Sequence, residues 1–96
     1  MNTIDELKRR LEALTPISID IVDESALHAR HPGARAGGGH YRLTIVSERF
    51  RGAGRVARHR MVFDAVGDLM QGRIHALPMN ALTPEEAGKP TNKESR

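Results

Sequence analysis

The 96-residue chain contains no cysteine. Disulfides, thiolate metal sites and any thiol chemistry borne by the protein itself are therefore excluded. Aromatic residues are almost as scarce: Tyr41, Phe50 and Phe63 are the whole set. One modest core is what a chain of this length builds, and these three rings are expected to share it with aliphatic side chains. Long apolar runs are missing too. The opening MNTIDELKRR is studded with charge, unlike a signal peptide or a membrane span, so a cytoplasmic protein without membrane contact is expected. No Ser-His-acid arrangement, paired-carboxylate signature or phosphate loop is recognisable, and nothing supports an enzyme.

What is present is a basic balance, formal net charge +3, which permits a nucleic-acid or acidic-protein partner without requiring one. A first helix is marked by Thr3 as N-cap with Glu6 closing a capping box, and by Ile4, Leu7, Leu11 and Leu14 as its buried face. Pro16 stops it. Alternation over ISIDIVD places Ile17, Ile19 and Ile21 inward, and YRLTIVS repeats the pattern with Tyr41, Leu43 and Ile45 inward. Asp20 and Arg42 could pair across the exposed face, a contact contributing only roughly 0.2 to 1 kcal/mol. Between these strands, ESALHARHPGARAGGGH is far longer than the ~2 to 5 residues of an ordinary hairpin loop. A connection of that length is either functional or disordered, and His28, His31 and His40 lie in or beside it.

After a short helical turn anchored by Phe50, Val62, Ala65, Val66 and Leu69 recur at helical spacing, with Arg60, Asp64 and Asp68 opposite. His59 falls within the apolar stripe and reads as a core or supporting histidine. Gln71 and Gly72 are expected to end this helix. The following IHALPM alternates with His75, Leu77 and Met79 on the core side, His75 at the very start of the strand, where a side chain can still reach solvent. Pro78, with no N–H for a ladder, marks an edge strand, parallel to Tyr41–Ser47 after the helical crossover. Thr83-Pro84-Glu85-Glu86 starts a last short helix. The order is α+β: a three-stranded mixed sheet with helices on one face, forming a single domain over residues 1–87, with 88–96 read as a disordered tail.

The run IVSERFRGAGRVARHRMVFDAVGDLM followed by IHAL, with IVDESALHARH upstream and TPEE downstream, resembles the signature region of the BolA family from roughly Thr3 to Glu86. The resemblance implies a KH-like αββααβ fold with a short C-terminal helix. It also implies an adaptor that binds a monothiol glutaredoxin and shares a bridged [2Fe-2S] cluster with it, the glutaredoxin giving its cysteine and a bound glutathione. In that reading the histidine of the IHAL segment, His75, is a ligand. The second comes from the first inter-strand loop, where His28 matches the family position and His31, three residues on, lies within reach. His40 is read as an ordinary structural histidine.

Imidazole replaces thiolate on one iron of some clusters, and a cysteine-free chain must borrow the thiolate half from a partner. Such ligation requires an unprotonated nitrogen, so a shared cluster is expected to become labile below about pH 6 to 6.5. The family is also described as transcription regulators with a helix-turn-helix-like unit. Arg49, Arg51, Arg55, Arg58 and Arg60 lie on that unit here, a cationic surface for DNA phosphates or for an acidic partner. Gly52-Ala53-Gly54-Arg55 lacks the second glycine of the loop by which KH modules clamp nucleotides, so RNA clamping is not expected. On its own the chain is expected to be a monomer or at most a weak homodimer.

Overall fold

A computed structural model describes residues 2–28 and 38–88. His31 and the expected tail beyond residue 88 lie outside the described residues. Helix α1 spans Thr3–Leu11 and tightens into a 3-10 turn over Glu12–Leu14. Strand β1, Ser18–Asp23, runs antiparallel to β2, Gly39–Val46. A 3-10 turn over Glu48–Phe50 leads to α2, Arg55–Val66, and a further 3-10 turn over Gly67–Gln71. Strands β3, Ile74–Ala76, and β4, Met79–Leu82, both pair in parallel with β2, and α3, Pro84–Ala87, closes the described chain.

The fold class stands as expected, with one change in the sheet. The single third strand is two pieces, because Pro78 has no N–H to continue the ladder. Its carbonyl still accepts from Leu43 N at 2.9 Å. Both pieces pair with β2, so among the described residues the Pro78 segment is an edge, as expected.

The expected inward residues Tyr41, Leu43 and Ile45 are buried with Leu7, Leu11, Leu14, Phe50, Val62, Val66, Leu69, Ile74, Leu77 and Ala81 in one cluster. Fully burying a side chain such as Phe50 or Leu43 contributes roughly 1.5–3 kcal/mol relative to leaving it in water. Phe63, expected in the core, is 40% exposed and Ile17 is 62% exposed. Phe63 lies almost a quarter-turn off the Val62–Val66 stripe, and Ile17 precedes the first ladder residue of β1, where alternation no longer dictates facing.

Several local expectations shift. Asn2, not Thr3, caps α1, its side chain accepting from Asp5 N at 2.8 Å. An asparagine is among the strongest caps, and it places Thr3 inside the first turn. The α-helical part of α2 gives way at Gly67, whose φ of 63° is open to glycine at little steric cost, and the 3-10 turn that follows ends at Gln71 with Gly72 as its cap. Arg10 reaches this end of α2, donating to the Val66 carbonyl at 2.9 Å and to Asp68 at 2.7 Å. A cation at a helix C-terminus complements its dipole. The register sets Asp20 against Thr44 and Val22 against Arg42, so Arg42 pairs with Glu24 at 2.9 Å instead of Asp20. The Thr83 capping box is present as expected.

Ser47, fully buried, was not singled out by sequence. Its hydroxyl donates to the Leu14 carbonyl at 2.6 Å and accepts from Arg49 N at 3.0 Å. One side chain thus ties the end of the first helical segment to the start of the turn that leads into α2.

Candidate functional site

Two glycines set the geometry around the start of β3. Gly38 has φ +88° and lies so close to β3 that a Cβ there would be 3.0 Å from His75 N and 3.2 Å from His75 Cβ. At Gly39 a Cβ would lie 2.5 Å from the Tyr41 ring. The missing Cβ of Gly38 is what allows the entry to β2 to run this close beside β3, while the missing Cβ of Gly39 makes room for the Tyr41 ring. Gly39 N then donates to the Arg73 carbonyl at 3.0 Å.

The pairing next slips. Gly39 stands opposite Ile74 but His40 opposite Ala76, leaving His75 as the extra residue of a bulge. Bulges re-aim side chains and are over-represented beside functional sites. Here the slip sets the rings of His40 and His75 side by side, centroids 5.1 Å apart and planes tilted by 36°.

His75 was expected on the core side with Leu77 and Met79. It is exposed instead, while Ile74 is 2% and Leu77 6% exposed. Alternation carried back from Leu77 fails because the chain breaks after Ala76, which resets the phase: β3 turns Ile74 inward and β4 turns Ala81 inward. The break thus delivers His75 to the surface. His40 is half-buried, its Nε2 shielded from solvent. Its backbone is held at both ends, its N–H donating to Ser25 Oγ at 3.1 Å and its carbonyl accepting from Glu24 N at 2.8 Å.

His28 closes a 3-10 turn over Ser25–His28. Its side chain, like the whole of His31, lies outside what is described. The same turn carries Ser25, which anchors His40, so the chain leading to His28 leaves from the margin of the His40–His75 pair. Sequence reading places His40 at the start of its strand but not beside His75; the proximity follows because parallel strands begin at the same end of a sheet and each of these histidines sits where its strand begins.

The arginines divide into two groups. Arg51 pairs with Glu48 at 2.6 Å and Glu85 at 2.8 Å. Arg58 donates to the Ala53 and Ala81 carbonyls at 2.7 and 3.0 Å and pairs with Glu86 at 2.6 Å, joining the start of α2 to β4 and α3. Its guanidinium and the Thr83 backbone hold the Glu86 carboxyl down at about 2. Arg49, Arg55 and Arg60 make no ion pair among the described residues. Half-buried His59 lines a cavity of about 370 Å³ between the start of α2 and β4, with Arg55, Arg58, Met79 and Asn80.

A family model described as BolA-like protein matches residues 11–86. Among curated relatives, BolA-like protein 1 of Homo sapiens is 39% identical over 75 residues, covering 78% of this chain and 53% of the relative. The DNA-binding transcriptional regulator BolA of Vibrio cholerae is 34% identical over 83 residues, covering 85% and 76%. The first curated relatives it matches are longer, the chain spanning 23% to 59% of their length. Among solved structures, BolA1 from Arabidopsis thaliana superposes with a TM-score of 0.76 at 30% identity, covering 90% of this chain and 96% of that one.

Proposed function

Since the chain belongs to the BolA family, we propose that it is an adaptor: it docks on a monothiol glutaredoxin and completes, through histidine, the ligand set of a [2Fe-2S] cluster that the two proteins share. The observation that carries this reading is the exposed imidazole of His75, set on an edge strand at a bulge where a partner can approach it. The donor set fits the group in kind. Histidine serves as a cluster ligand on one iron, and a chain without cysteine leaves the thiolates to the glutaredoxin and its glutathione. His75 holds one position, and His28 or His31, on the connection between β1 and β2, holds the second.

The chain's own part is to present imidazole nitrogens at a margin fixed by backbone hydrogen bonds, with His75 exposed there. Anaerobic reconstitution with a monothiol glutaredoxin and glutathione, followed by visible absorption and circular dichroism, tests this. A spectrum distinct from that of the glutaredoxin alone, lost in His75→Ala, is expected, and loss in one of His28→Ala or His31→Ala names the second ligand. An unchanged spectrum on mixing overturns the proposal.

A second reading is favoured by the names of two bacterial relatives, of Vibrio cholerae and Escherichia coli, each called DNA-binding transcriptional regulator BolA. Arg49, Arg55 and Arg60 are the arginines available to phosphates on that reading. Replacing each by Gln is then expected to lower the slope of log affinity against log salt by about 0.9 per residue, read by fluorescence anisotropy on a duplex. A slope unmoved by all three removes this reading.

A further inference from the structure

From the packing of the two strand starts, we infer that His40 and His75 form a two-imidazole site for a single divalent transition-metal ion, which the chain binds without any partner. The inference shares with the proposed function the premise that His75 is a ligand. It differs in naming His40, rather than a residue of the β1–β2 connection, as its companion, and in needing no glutaredoxin.

The first argument is distance. Two imidazoles that each give one nitrogen to a tetrahedral cation, at about 2.0–2.1 Å, have ring centres about 5 Å apart. The observed separation is 5.1 Å. The two ring centres are therefore already as far apart as sharing one ion requires. What remains is rotation of the rings, and the terminal torsion of histidine is broad.

The second argument is how much structure enforces that distance. Gly38 fits against the His75 backbone only because it lacks a Cβ. Gly39 is tied to Arg73 by a hydrogen bond, and the bulge places His75 on the same side as His40. The His40 backbone is further pinned to Ser25 and Glu24. Two rings brought together by this many local constraints lose little freedom on binding a metal, which is what preorganisation means for a site with only two protein ligands.

The third argument is ligand chemistry. Imidazole suits zinc, cobalt, nickel and copper, whereas magnesium and calcium take oxygen ligands. Among the described residues no group of three or more His, Cys, Asp or Glu side chains is placed to hold a metal. The described residues therefore leave the remaining positions on the ion to water or to an incoming molecule. That is the open arrangement of a site that passes a ligand on or accepts one, as opposed to the closed set of four that stabilises a fold.

The test uses the metal-free full chain and Co²⁺ or Zn²⁺ alone, with no glutaredoxin present. Histidine-ring resonances are followed by long-range ¹H–¹⁵N correlation, and affinity by calorimetry. Saturable one-to-one binding that perturbs the His40 and His75 rings together is expected, with at least about a tenfold loss of affinity in each of His40→Ala and His75→Ala, on the scale of losing support for a metal ligand. His28→Ala and His31→Ala are expected to bind as the unsubstituted chain does. His40→Gln, which keeps a polar side chain at the position, distinguishes loss of a ligand from loss of the strand entry: its amide spectrum stays folded while its affinity falls. Binding that survives both His40 variants, binding that follows His28 or His31, or no binding at all overturns the inference. The cluster reading is decided separately by the reconstitution with glutaredoxin, so the failure of one is distinguishable from the failure of the other.

Discussion

A serine that sequence reading passed over holds two segments together. Ser47 sits at the end of β2, where alternation has run out and a small polar residue looks like loop. In the fold it is fully buried, donating to Leu14 O and accepting from Arg49 N. Ser47→Ala leaves the buried Leu14 carbonyl without this donor and the Arg49 N–H without this acceptor. A cost of about 1–3 kcal/mol is expected for an unsatisfied buried polar group, seen as a lower urea midpoint with an unchanged slope. Ser47→Thr retains the hydroxyl and is expected to recover part of the loss. His75 teaches the same point from the other side. Its residue type and its position at a strand start were legible, but its facing was not, because alternation predicts orientation only along an unbroken ladder and this one breaks after Ala76.

Among the elements, those legible in the sequence carry their own local signal. The stripe Val62, Val66, Leu69 marks α2 and the turn after it, the alternation of Tyr41, Leu43 and Ile45 marks β2, and Thr83-Pro84-Glu85-Glu86 marks α3. Less legible was what depends on a partner far along the chain, such as the pairing of Arg42 with Glu24 or of Arg58 with Glu86. The latter has a pH consequence. The Arg58 guanidinium and the Thr83 backbone hold the Glu86 carboxyl in the folded chain down at about 2 against an ordinary 4.5. The unfolded chain therefore binds the proton more readily, and stability rises with pH across that interval. The contribution is present in full above about pH 5 and fades as pH falls toward 2. Glu86→Gln, which keeps a side chain able to serve in a capping box, is expected to flatten the fall in thermal midpoint between pH 5 and 3 relative to the unsubstituted chain. Because Glu86 is well exposed, 0.5 M salt is expected to shrink the difference between the two proteins.

For the whole molecule, the absence of cysteine is a constraint on any partnership. A mixed cluster complex needs thiolate, and every thiolate in it must come from outside this chain. The two proteins are therefore chemically asymmetric, and that asymmetry can be read without any substitution. Treating this chain with iodoacetamide at neutral pH, then removing the reagent, is expected to leave reconstitution of the mixed complex intact, because there is no thiol to alkylate. The same treatment of the glutaredoxin is expected to abolish it. Diethylpyrocarbonate, which acylates imidazole, is expected to show the reverse preference, with exposed His75 modified ahead of half-buried His40. If alkylating the glutaredoxin left the shared spectrum unchanged, the ligands would have to be found without sulfur from that partner. The division of labour inferred from a cysteine-free chain with a histidine at its sheet edge would then fail as a whole, wherever in the chain the second histidine proved to be.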